Sequence, residues 1–440
     1  MEENVLYSTC SFLKDKYSFV NRYHFAIFSI LITLYIGTRY VGESSLSKAI
    51  FCIMSILICI SKTNQLTYLF FMVTPMFLYI TLGTFPIYNV ILAVLFIKRF
   101  LFENIKINKS ILITVICLIL TELVGMLLSG VSFSLNQVKF FMIIFITVLQ
   151  LYHPIKDYNN TVAAKYMICG TFLYAIFYLL VNYNVVINPS IRSGGLGDLD
   201  PNTYGLYNLF AMSIILLFIF NSVFSKKELL FSIVALITIF FAGIMTLSKT
   251  YILVLGIMII LFLLGKKGKI KTSLFFLIAF IGIYFLFENN LFLKDTYNNL
   301  IARFTEVSNL QEFTTGRSEL MTGYLEYLWE NIQKFIFGQG MYSYLPLSGI
   351  SIRPHNCTIE IIYSWGIVGT FLILNMYIKG SKRYNIRNKI WSKRFTNLIP
   401  LVVLVIFMQS LTLLYQEATY AYIIMAIMLI STPKKHKKFN

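Results

Sequence analysis

Runs of 17 or more apolar residues recur from one end of this chain to the other, and they constrain its fold more than any other feature. A helix needs about 20 such residues to cross a bilayer's hydrocarbon core. Inside hydrocarbon every backbone N–H and C=O must be satisfied within the segment, which favours helices over any open sheet. Fourteen stretches are candidate spans, near 24–42, 46–61, 66–82, 85–101, 110–129, 132–151, 162–186, 203–224, 229–247, 249–265, 270–288, 356–378, 397–414 and 416–431, those at 46–61 and 416–431 being short enough to suit tilted hairpin partners. Composition agrees: 58% of residues are apolar and 13% charged, against about 45–50% and about 25% in globular domains. Disorder, a solvated solenoid and an ordinary cytosolic enzyme are excluded. The expected fold is an all-α integral membrane protein, a polytopic bundle of about 14 (12–14) transmembrane helices. It forms one domain over 1–440, with one long loop at 289–355 that carries short amphipathic helices.

The net charge of +18 is explained by position. With both termini placed in the cytoplasm, 27 of the 37 Lys and Arg residues fall on the cytoplasmic side, as the positive-inside rule requires. The basic clusters then lie against anionic lipid, and no nucleic-acid partner is needed. The long loop falls outside the cell membrane. A cation on that outer face stands out, because orientation does not call for it. The six cysteines form no CxxC pair and no disulfide framework.

Three outer segments hold the side chains that can do chemistry. The first reads Asn188-Pro-Ser-Ile-Arg192-Ser-Gly194-Gly195-Leu-Gly197-Asp198-Leu-Asp200-Pro201-Asn202. Its glycines allow close approach of a ligand, and Arg192 is a candidate contact for an anion. Asp198 and Asp200 are either a metal-holding pair or, for Asp200, the N-cap of a helix with Pro at its first position. The second is the long loop, where Leu320, Tyr324, Leu328 and Ile332 share one face of a helix lying on the membrane or on the bundle. Arg317 stands at its start; it either pairs with Glu312 or Glu319, or holds an anion together with the helix amides. The third is Arg353-Pro354-His355-Asn356-Cys357-Thr358-Ile359-Glu360, where His355 is a candidate general base or merely a cap. Gly366 and Gly369 follow and suit close helix packing. A tight turn, Thr246-Leu-Ser248-Lys249-Thr250, adds one more outer cation, Lys249. Glu122 is an ionisable group inside a span, with Arg39 or Lys139 as candidate partners. No HExxH, GxSxG, CxxC or Walker pattern is present.

Taken in order, Arg192 with its Gly-rich loop and Asp200-Pro201-Asn202, Leu247-Ser248-Lys249-Thr250, Thr315-Gly316-Arg317-Ser318-Glu319-Leu320, Gly338-Gln339-Gly340, His355-Asn356 and Gly366-Ile-Val-Gly369 resemble the bacterial O-antigen ligase and O-antigen/capsule polymerase (Wzy-type) superfamily. The likeness covers about residues 190–375. It implies a GT-C-like, metal-independent, inverting glycosyltransferase on the extracytoplasmic face of the bacterial inner membrane, with no cofactor. It implies a donor glycan on undecaprenyl diphosphate. Polymerases pass the growing chain to the next lipid-linked repeat unit; ligases pass a finished chain to lipid A core or protein. Arg192, Arg317 and His355 fall on the catalytic positions. Gly195, Asn202, Lys249, Arg353, Asn356 and Glu360 are candidate substrate contacts. A chain-length regulator and a flippase are candidate partners. A lipid-linked sugar flippase or transporter is the reading from another class, which the crowding of polar residues on one face disfavours.

Overall fold

The computed structural model describes residues 23–102, 109–152, 158–182, 196, 199–265, most of 274–305, 317–341, 343, 345–347, 350–382, 395–409 and 417–430. It is almost wholly helical. In chain order the helices are α1 (Tyr23–Val41), α2 (Ser44–Ile60), α3 (Thr63–Val73), α4 (Ile87–Phe102), α5 (Lys109–Ser129), α6 (Leu135–Tyr152) and α7 (Asn160–Val181). Then come α8 (Pro201–Phe220), α9 (Lys226–Ile244), α10 (Lys249–Gly265), α11 (Leu291–Thr305), α12 (Arg317–Glu330), α13 (Ile332–Phe337), α14 (Cys357–Lys382), α15 (Ile399–Met408) and α16 (Glu417–Leu429). The described residues between 274 and 289 are helical too. Two short hairpins interrupt: β1 (Thr81–Leu82) with β2 (Phe85–Pro86), and β3 (Leu345–Leu347) with β4 (Ile350–Ile352).

Among the described residues six helices are long and apolar enough to cross a membrane: α1, α5, α7, α8, α9 and α14. Three shorter apolar helices accompany them, at Ser44–Ile60, Lys249–Gly265 and Thr396–Met408. The stretch expected as one span at 66–82 is not one helix. Helix α3 ends at Val73, a 3-10 turn carrying Pro75 follows, and the chain reverses through β1 and β2. Proline lacks the N–H that would continue the ladder, so the apolar run is divided there.

Helix α8 is the axis of the bundle. Nearly all its side chains are buried, and it packs against α7, α9, α10 and α15. A helix apolar on every side belongs in the middle of a bundle. Aromatic rings fill the space around it: Tyr204 lies 4.9 Å from Tyr174 and 4.6 Å from Tyr178, and Tyr207 stacks on Tyr422 at 4.8 Å. A second apolar cluster, formed by Tyr324, Leu328, Leu345, Ile359 and Tyr363, seats α12 on the first turns of α14. The amphipathic helix therefore rests on the bundle. Its expected face extends only from Leu320 to Leu328. At Asn331 the backbone leaves the helical region, α13 starts in a new direction, and Ile332 is 60% exposed.

Candidate active site

The ends of α8, α10, α14 and α15 meet at one end of the bundle, and capping residues stitch them together. Asp200 caps α8: its carboxylate accepts the N–H groups of Asn202 (2.8 Å) and Thr203 (3.1 Å). The cap reading of Asp200 is the one the geometry bears out. Asn202 is buried, and its side-chain oxygen accepts the Ser248 hydroxyl at 2.7 Å. Ser248 in turn accepts the Tyr251 N–H at 3.2 Å, which caps α10 and leaves Lys249 as its first residue. Two segments 46 residues apart in sequence thus share one hydrogen-bonded junction.

The junction continues through Gly205. A Cβ there would lie 3.4 Å from Tyr251 and 3.5 Å from Phe407, so α8, α10 and α15 pack closely at this level. Two residues beyond Phe407, the Gln409 carbonyl accepts the Asn356 side-chain N–H at 3.0 Å, and the Gln409 side chain accepts the Thr358 hydroxyl at 3.0 Å. Asn356 is also the N-cap of α14, accepting the N–H groups of Thr358 (3.0 Å) and Ile359 (3.1 Å).

His355 is therefore not the cap; its neighbour is. It stands half-buried with φ 48°, in the left-handed region that residues with a Cβ seldom occupy. Such strain persists only where surrounding structure holds it, and it concentrates at functional sites. Arg353 is half-buried in the bend between β4 and α14, and Glu360 is buried in the first turn of α14. Cys357 is buried.

Arg317 opens α12 and is half-buried. Two turns on, the Tyr324 ring meets Tyr363 edge-on at 4.7 Å, and its hydroxyl accepts the Leu345 N–H at 3.1 Å. Arg317 is thus carried on a helix docked to the one that follows His355. Arg192 and Gly195 lie outside the described residues, as does Glu312. The residue directly after Gly195 is tied down: the Leu196 carbonyl accepts the Tyr174 hydroxyl at 2.9 Å.

Lys249, Arg317, Arg353 and His355 all sit at or just before helix N-termini, where the backbone contributes roughly half a positive charge per helix. Residues 234–374 match the family model described as O-antigen ligase. Over that segment the chain is similar to the O-antigen ligase family. The matched segment is about a third of the chain and holds Lys249, Arg317, Arg353, His355, Asn356 and Glu360; it excludes Arg192, Gly195 and Asn202. No curated protein and no solved structure matches the chain.

The matched segment also has an attachment that its own sequence does not reveal. Helix α14 is broken at Gly366 (φ 64°, ψ −172°), which frees the carbonyls of Tyr363 and Ser364 from their usual partners four residues on. Those carbonyls accept the N–H groups of Gln339 (2.9 Å) and Gly340 (2.8 Å). The Gly338-Gln339-Gly340 segment is thus laid into the kink, in keeping with the rule that irregular backbone at membrane depth must be buried in protein. Beside it sits Glu122 of α5. Neither Arg39 nor Lys139 is shown as its partner. Arg39 donates to the Tyr79 carbonyl (2.6 Å), and the Lys139 side chain is outside the described set. The Glu122 carboxylate instead accepts from Gln137 Nε2 (2.8 Å), the Met341 N–H (2.9 Å) and Trp365 Nε1 (2.7 Å). Sequence reading flagged Glu122 as costly but looked for a cation. An indole, an amide and a backbone N–H cannot be picked out from spacing.

Proposed function

We propose that this chain is a polysaccharide polymerase that joins undecaprenyl-diphosphate-linked repeat units into O-antigen or capsule on the extracytoplasmic face of the bacterial inner membrane. Both termini are cytoplasmic, and the 289–355 loop lies outside. The observation that carries the reading is that Lys249, Arg317 and His355, all within the matched O-antigen ligase segment, begin or precede helices of one packed body.

Arg192 and Arg317 hold the diphosphate of the donor. The bond from the anomeric carbon to the diphosphate oxygen breaks, and the guanidinium groups stabilise the charge that develops on the leaving group. An acceptor hydroxyl attacks from the opposite side, its proton passing to His355 and its oxygen forming the new glycosidic bond. The result is inversion at the anomeric carbon. Lys249, Arg353, Asn356 and Glu360 line the approach, with Gly195 and Asn202 shaping the donor loop.

The description of the matched model favours one further reading, a ligase that moves a finished chain to a final acceptor. Deletion of the gene separates the two. A single repeat unit in place of the glycan ladder, restored by the wild type, establishes a polymerase. Long polymer stranded on the lipid carrier establishes a ligase. Single units held on the cytoplasmic leaflet refute both and leave a flippase.

A further inference from the structure

Glu122 lies well outside the O-antigen ligase segment, on α5, and is 1% exposed. Its three donors come from three different places: α6, the strand of backbone after Gly340, and the kink of α14. On its other side is an apolar cleft of about 320 Å³, walled by Phe96, Val115, Ile119, Phe141 and Phe145, which offers no hydrogen-bond partner. The carboxylate is therefore satisfied by these segments or not at all, and leaving it bare in this setting is costly.

The glycines around it fix how the segments meet. A Cβ on Gly125, one turn after Glu122, would lie 2.4 Å from the Gly340 nitrogen. A Cβ on Gly338 would lie 2.3 Å from the Ser364 carbonyl oxygen, and one on Gly366 2.1 Å from that of Ile336. Backbone meets backbone on both sides of the 338–340 segment, and Glu122 closes the third side.

We infer that Glu122 is a positioning residue for glycosyl transfer: by holding the Gly338–Met341 segment to the kink at Trp365, it fixes α12 and α13, which carry Arg317, against α14, which follows His355. This rests on the reaction proposed above. Helix α13 ends at Phe337, directly before the held segment, and α12 joins α13 through Asn331. The path from carboxylate to Arg317 is thus continuous along the chain. The path to His355 runs back along one straight half-helix, from Trp365 to Cys357. Neither path passes through substrate, so Glu122 acts on the distance between the leaving-group cation and the base.

Glu122→Gln keeps the shape. One side-chain oxygen already serves two donors, so the amide oxygen takes that place and the amide NH2 is turned toward the Trp365 N–H. Two donors then face each other. The assay is turnover of lipid-diphosphate-linked oligosaccharide by the full-length protein reconstituted in bilayers, with Ser343→Cys reactivity toward a thiol reagent as a second readout. Glu122→Gln should lower kcat at least ten-fold with KM changed less than two-fold, and speed labelling at position 343. Adding Trp365→Phe removes the opposing donor and should restore at least three-fold of that loss. Wild-type turnover in Glu122→Gln overturns the inference, as does a loss that the double variant leaves unrelieved. If Glu122→Gln does not accumulate, Gln137→Leu and Trp365→Phe each delete one donor, and wild-type turnover in both overturns it as well. Arg317→Ala run in parallel tests the reaction itself. If that variant turns over normally, the proposed chemistry fails whatever Glu122 does.

Discussion

Gly366→Ala is the sharpest probe of how the 338–341 segment is held to the bundle. The backbone at Gly366, φ 64° and ψ −172°, lies in a region that residues with a side chain essentially never enter, at a cost of order 1–3 kcal/mol. The added methyl would also stand 2.1 Å from the Ile336 carbonyl oxygen and 2.6 Å from the Gly338 nitrogen. Both are backbone atoms, so no flexible side chain can give way, and overpacking adds about 1–3 kcal/mol. The sum is roughly 2–6 kcal/mol, and even its low end lowers the folded-to-unfolded ratio about thirty-fold. The control is Gly256→Ala in α10, where an added Cβ meets nothing within 4 Å. Thermal unfolding in detergent and the amount of protein in the membrane should both fall for Gly366→Ala and hold for Gly256→Ala. If Gly366→Ala melts with the wild type, the kink is not where the 338–340 segment is seated, and the geometry argued from it is wrong.

Arg317→Ala should abolish polymer while the protein stays in the membrane, and Arg317→Lys should recover little, because an ammonium cannot reproduce the bidentate fork; glycan ladders on gels read both. Asn356→Ala removes the cap of α14 and its tie to Gln409, so it should lower stability by about 0.5–2 kcal/mol in a melting experiment. Trp329 is 76% exposed on α12. As the sole introduced cysteine, Trp329→Cys should react with an impermeant thiol reagent in intact cells, and protection there would reverse the orientation assigned to the loop.

Hydropathy made the helical, membrane-embedded character legible, because satisfying backbone groups in hydrocarbon leaves so few options. It failed where one residue overrides a run, as at Pro75, where an apolar stretch becomes a turn and a hairpin. Periodicity found the buried face of α12 at Tyr324 and Leu328, but overshot at Ile332, because nothing in the spacing announces the break at Asn331. Asp200 was readable as a cap because Asp before Pro has a local reason to be there. His355 and Asn356 were not separable in that way. Either can cap a helix, and the left-handed φ that decides between them is a property of the folded chain. Glu122 was visible as an anomaly, yet its partners come from 15, 219 and 243 residues away, beyond any local pattern.

The capping geometry bears on which groups can hold a diphosphate. A helix N-terminus binds anions through its first free N–H groups and through its dipole. At α8 two of those N–H groups are already taken by Asp200, whose own negative charge opposes a second anion. At α10 Ser248 takes the Tyr251 N–H, and at α14 Asn356 takes two more. These three ends keep their dipoles but have spent donors on their own caps. In the proposed reaction the burden of neutralising a leaving diphosphate then passes to side chains. That is the physical reason to expect a large loss on removing one guanidinium, and a small one on removing one cap.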